Sequence, residues 1–228
     1  MDLGLVKGGV ETMGPRILGV PVTVEDVEIA LLSGTSVRAG LAQLVVKNPE
    51  GYKTAYAVSL PEIRVRVDRN SLLTDTVIVE EMLIVSPAIT FEWSLQGSNL
   101  GKIQENVKRN TRSGSDRNGR EKDEEEEPEK TVHIKKVMVK DAIINVSFTG
   151  GQGEVTRLPL PDLELRDIGN PSGGTTFSQA SAVIFEEIYG AILEAVMQSG
   201  MLLPQSIEQL GKSVGKMGKE LLRGLFGE

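Results

Sequence analysis

The chain has 228 residues, room for one ordinary domain or two small ones, and no cysteine, which removes disulfides, thiolate metal ligands and thiol nucleophiles. Its net charge of −7 is concentrated in EKDEEEEPEK at 121–130, which carries seven acids and two lysines; the remainder is nearly balanced and offers no basic surface to nucleic acid. Hydrophobic residues make up 39% and aromatics only 4%, so the core must be built from Val, Ile and Leu, and no run of about 18 apolar residues is present to span a bilayer.

Residues 1–19 place Leu3, Val6, Val10 and Met13 at helical spacing, in a short, glycine-rich helix that Gly14-Pro15 is expected to end. The period then changes to two. Val20, Val22 and Val24 alternate, followed by Val27 and Ile29, and a turn at Ser33-Gly34-Thr35 leads to a partner strand over 37–46. Asn48-Pro49-Glu50-Gly51 signals another turn. In SLPEIRVRVD, Leu60, Ile63, Val65 and Val67 mark a strand whose Arg64, Arg66 and Asp68 face water.

One pattern is then written twice. TVIVEEMLIVSPAITFEW at 76–93 and TVHIKKVMVKDAIINVSF at 131–148 align apolar on apolar, 55 residues apart. In each copy a polar or small pair, Ser86-Pro87 or Asp141-Ala142, interrupts the run where a strand should bend or bulge. LPEIRVR at 60–66 is echoed by LPDLELR at 160–166. Amphipathic strands share a grammar, so likeness of this kind arises without duplication as well.

Between the copies, Asn99 can cap a short helix with Leu100, Ile103 and Val107 as its apolar stripe. Residues 110–130 contain no aliphatic or aromatic side chain and are expected to form a disordered insertion. After the turn-rich stretch ending in Gly173-Gly174, Thr176 and Gln179 form a capping box for a helix over 177–199, with Val183, Ile184, Ile188, Ile192 and Val196 on one face. Beyond Gly200 and Pro204 a second helix is predicted. Its stripe is Ile207, Leu210, Val214, Met217, Leu221 and Leu225, and Lys212, Lys216, Lys219 and Arg223 fill the remaining surface. A basic amphipathic helix of this kind suits a membrane surface or a protein partner, including another copy of the chain.

Catalytic apparatus is not evident. His133 is the single histidine and stands in a strand where the sister copy has Ile78, so a structural role is expected. The acids show no metal-binding spacing, and GGQG at 150–153 and PSGG at 171–174 lack the lysine and serine or threonine of a phosphate loop. Trp93 reads as core or sheet rim. The chain is therefore expected to be non-enzymatic, without cofactor or metal.

The phrases GVPVTV at 19–24, Ser33-Gly34 before Val37, LAQLVVKNPEGY at 41–52, SLPEIRVRVDRNSLL, VIVEEMLIVSPAITFE and Ser98-Asn99-Leu100 together resemble the AsmA-like family of Gram-negative envelope proteins, relatives of TamB. The likeness covers about residues 10–168. It implies a periplasmic sheet curled into a groove that holds lipid acyl chains, following an inner-membrane anchor; residues 1–13 are similar to the stub after such an anchor. The expected fold is α+β: a curled antiparallel sheet of about nine strands over 20–168, a helical stub over 1–19 and a helical segment over 175–228. Candidate groove residues are Val22, Val24, Val65, Val67, Ile78, Ile84, Ile89, Val137, Val139 and Ile144. The expected function is lipid binding or transfer at the inner membrane, with lipid, a membrane surface, an envelope protein or a second copy as partner. The alternative is an assembly module that self-associates through the carboxy-terminal helices, and the helix at 177–199 competes with lipid for the groove.

Overall fold

The computed structural model describes residues 3–31, 35–94, 96–115, 130–149, 155–169 and 174–200. In chain order these form helix α1 (Leu3–Leu18), strands β1 (Val22–Thr23), β2 (Asp26–Leu31), β3 (Ser36–Val46), β4 (Val58–Asp68), β5 (Thr76–Val85), β6 (Ala88–Ser94) and β7 (Gly97–Ser98) and helix α2 (Asn99–Ser115). Strands β8 (Thr131–Lys140), β9 (Ala142–Phe148), β10 (Val155–Leu160), β11 (Leu163–Ile168) and β12 (Thr175–Thr176) and helix α3 (Phe177–Gln198) follow. The chain is an α+β protein whose strands all join one strongly curled, half-barrel sheet, as its alternating strands led one to expect.

The sheet is mixed, which corrects the antiparallel expectation. The two copies of the repeated pattern lie side by side in the same direction and in register: Thr76 pairs with Thr131, Val79 with Ile134, Ile84 with Val139, Ile89 with Ile144 and Trp93 with Phe148. A period of two sets which face a side chain takes; it does not set strand direction. Same-direction neighbours need a long crossover, and the segment carrying α2 supplies it. The two shorter echoes flank this pair at equal register, Ile63 opposite Ile84 on one side and Leu163 opposite Val139 on the other.

All the long strands bend along one line. Gln43, in the left-handed region at φ 51°, lies between the pairs Ala42–Glu62 and Leu44–Leu60, and so stands opposite Pro61. Next across the sheet come Ser86 at φ 49° and its sister Asp141 at φ 53°, then the Pro161-Asp162 break between β10 and β11. The Asp162 carboxylate accepts from the Asp141 backbone N–H at 3.3 Å. Both interruptions read from the repeats are thus bends. The row forms a crease, and beyond it β4 exchanges β5 for β6 as its partner.

Curling leaves one apolar concave face and one wet convex face. Ile63, Val79, Ile84, Ile89, Val132, Ile134, Val137, Val139 and Ile144 are buried. The convex face carries the ion pairs Arg64–Glu62, Arg66–Glu80 and Lys136–Glu164. Three helices cover the trough. On α2, Leu100, Ile103 and Val107 are buried as predicted, and the Ser98 hydroxyl accepts from the Gly101 N–H at 3.0 Å, so Ser98 shares the capping role expected of Asn99. The Thr176–Gln179 capping box of α3 is formed.

Three further expectations need correction. Helix α1 does not stop at Gly14-Pro15; it runs to Leu18, because so late a proline forfeits little of the helix ladder, and Gly19 at φ 69° ends it with its N–H on the Pro15 carbonyl at 2.9 Å. Residues 110–115 belong to α2, where the Asn110 amide donates to the Ile17 carbonyl and the Thr111 hydroxyl to the Val107 carbonyl. On α3, Val183 is exposed, and the buried stripe runs through Ala180, Tyr189, Ile192, Leu193 and Val196. The rest of the acidic insertion, the glycine turns at 150–153 and 171–173, the turn at Ser33-Gly34 and the predicted helix from Ile207 to Leu225 lie outside the described residues.

Candidate functional site: an apolar cavity in the trough

The concave face is not filled. A cavity of about 470 Å³ remains between the sheet floor, α1 and α3. Its floor is Leu44, Val46, Val58, Leu60, Ile63, Met82, Ile84, Ile89, Ile134 and Val139, and its roof is Val6, Val10, Met13 and Ile17 of α1 with Ala180, Ile184, Phe185, Ile188 and Ile192 of α3. That volume falls within the ~300–1,000 Å³ usual for small-molecule sites. Only Ser181 and Tyr189 bring a side-chain polar atom to the lining, and no charged residue does. Tyr189 is 1% exposed, lies 6.1 Å from the Phe185 ring and shares a 3.3 Å hydrogen bond with the Ser98 hydroxyl. Burial pushes its phenol up to about 12, against the smaller opposite effect of the Ser98 bond.

Of the groove candidates, Val22, Ile84, Ile89 and Val139 line the cavity. Val24 and Ile144 are buried in the same apolar core, and Val65 packs against it. Val137 belongs to a smaller buried cluster with Val79, Val132, Ile134, Ile168 and Ala180, and Val67 packs against it. Ile78 belongs with neither: its neighbour Val79 points inward, so alternation turns Ile78, like its sister position His133, to the convex side. His133 is buried, with Nε2 unpaired and 3.6 Å from the Asp167 carboxylate. Trp93 is half-buried at the end of β6.

Glu92 was missed. On sequence its carboxylate reads as one more acid on a wet strand face, yet it is 1% exposed. The loop from Asn48 to Ala57 folds over that part of the convex face and delivers donors to it: the Lys53 N–H at 2.9 Å, the Thr54 N–H at 2.8 Å and the Thr54 hydroxyl at 2.6 Å, joined by the Thr149 hydroxyl at 2.7 Å. Asn99 completes the network, accepting from the Glu92 N–H and donating to Asn48 and to the Thr90 carbonyl. Burial raises the Glu92 carboxyl, but the hydrogen bonds from Thr54, Lys53 and Thr149 together outweigh it and hold the group below the usual carboxylate range. The sequence signal was the turn Asn48–Gly51 followed by Thr54, a loop with free N–H groups and no assigned acceptor.

Among the described residues no group of three or more His, Asp or Glu is placed to hold a metal ion, and no helix is long and apolar enough to cross a membrane. Comparison with family models, with curated proteins and with solved structures returns no match.

Proposed function

We propose that this protein is a non-catalytic lipid-binding protein whose trough takes a hydrocarbon chain and leaves the polar head outside. The carrying observation is the cavity of about 470 Å³ with a lining free of charged side chains. Apolar surface left uncovered in a concave site of this kind is offered to an apolar guest. A chain burying about ten methylenes there gains about 8 kcal/mol, before the cost of immobilising it. A charged head inside would have no partner, which separates this ligand class from polar metabolites. The envelope setting, the inner-membrane association and the transfer role rest on the resemblance to AsmA-like proteins in residues 10–168.

The test is organic extraction and native mass spectrometry of the purified protein, followed by titration with a fluorescent fatty acid and a fluorescent phospholipid. A Ser181→Phe variant, which puts a phenyl ring into the cavity, is expected to fold and to weaken uptake. Absence of co-purified lipid together with no uptake of either probe sinks the proposal.

A further inference from the structure

The roof of the cavity is unevenly fastened. Helix α3 is anchored by its capping box and by Tyr189, Leu193 and Val196, all buried. Helix α1 is different. Four glycines and a proline in its sixteen residues give it the weakest intrinsic helicity of the three helices, and Gly8 and Gly9 have nothing within 4 Å of a Cβ placed on them. Its carboxy-terminal end is held firmly: Ile17 is buried, and the Asn106 and Asn110 amides of α2 donate to the Leu18 and Ile17 carbonyls, each at 3.2 Å. Toward its amino-terminal end, two polar ties link it to the segment between β1 and β2. The Glu11 carboxylate accepts from the Val24 N–H at 3.1 Å, and the Lys7 ammonium donates to the Glu25 carbonyl at 2.9 Å.

We propose that α1 is the gate of the cavity, swinging about Gly19 while Asn106 and Asn110 hold its end as an axle. Gly19 is suited to the pivot. It sits at φ 69°, and a Cβ there would come within 2.5 Å of the Asn106 amide, so glycine alone lets the axle close upon the turn. Opening breaks the Glu11 and Lys7 ties and lifts Val6, Val10 and Met13 off the cavity. Elements that open are drawn from the weakly held part of a fold, and α1 is that part of the roof. The purpose of the motion rests on the lipid-binding function proposed above; the motion itself does not.

A chemical staple tests it. A Cβ built on Gly14 lies 3.1 Å from the Val22 Cβ, close to the ~3.5–4.5 Å that a disulfide spans. The chain has no other cysteine, so Gly14→Cys with Val22→Cys can form one defined bridge between α1 and β1. Two readouts are taken on the oxidised and the reduced form: amide hydrogen exchange over residues 6–13, and the rates of uptake and release of the fluorescent fatty acid. Oxidation is expected to slow both by about tenfold and reductant to restore them, while Glu11→Ala, which removes one charged hydrogen bond, speeds both by about as much. The gate is overturned if α1 amides exchange no faster than those of α3, or if a mass-verified bridge and Glu11→Ala both leave exchange and uptake unchanged. A protein that binds no lipid at all sinks the proposed function, and exchange in α1 still decides the gate.

Discussion

Replacing Glu92 by Gln removes one charge and reverses one hydrogen-bonding group in the most densely donated carboxylate described here. Glu92 accepts from two backbone N–H groups and two hydroxyls, and a glutamine keeps one acceptor oxygen while turning an NH₂ toward donors that need an acceptor. Hydrogen bonds to a charged group are worth about 1.5–3 kcal/mol each, and a buried donor left unpaired costs about 1–3 kcal/mol. The net loss expected is about 3 kcal/mol. For a chain of this size that lowers Tm by roughly 6–12 °C. Thermal and urea unfolding at pH 7 measure it.

The pH dependence supplies an independent check. Glu92 is held below its ordinary range in the folded state, so its contribution is complete above the unfolded value, about 4.3, and is lost as pH falls through the lower folded value. The wild-type protein should therefore lose more stability between pH 6 and pH 3 than Glu92→Gln does, and the two should converge in acid. Equal stability at pH 7, or parallel pH profiles, would refute the account of Glu92 as a charged clasp on the 48–57 loop.

Other perturbations follow from the same geometry. His133→Ile copies the sister residue Ile78 and removes a buried unpaired nitrogen; a gain of about 1 kcal/mol in urea unfolding is expected. Asp141→Gly relieves a left-handed backbone at φ 53° but adds entropy to the unfolded chain, so Tm should rise slightly or hold, whereas Asp141→Val should lose about 1–2 kcal/mol. Tyr189, pushed up to about 12, should stay protonated in an ultraviolet titration well past the ordinary phenol value near 10, and because the unfolded phenol ionises there, folding stability should decline as pH rises from about 10 toward 12.

The strands were legible because alternation survives in sequence, and the likeness of the two copies was legible because 76–93 and 131–148 matched position by position, but nothing in it said that they pair. That match turned out to be the physical register of the sheet, Thr76 beside Thr131. Strand direction was hidden, since a parallel and an antiparallel neighbour demand the same inward residues. The extent of α1 was hidden because Gly14-Pro15 is a stop signal by local rules, while the Asn106 and Asn110 amides that bond the Leu18 and Ile17 carbonyls beyond it lie far along the chain. The buried state of Glu92 was equally remote, decided by a loop some 38 or 39 residues earlier. Alternation named the apolar wall, and four of the ten groove candidates line the cavity. It could not distinguish a wall facing a void from one facing a helix, because both ask for Val, Ile and Leu.

The crease has a consequence for how such a chain can change length. Gln43, Pro61, Ser86, Asp141 and the Pro161-Asp162 break stand abreast; β3 counts to that line in step with β4 and β8 in step with β5, while β5 carries one residue more than β4, taken up by a bulge opposite Arg66-Val67. Deleting a single residue from one of them would carry half of its side chains to the wrong side of the sheet. Growth by single residues is therefore confined to the strand tips and to bulges such as the one β5 makes against β4. Enlargement of the sheet itself has to come as an entire creased strand, already measured to fit, of the kind that occurs twice in this chain.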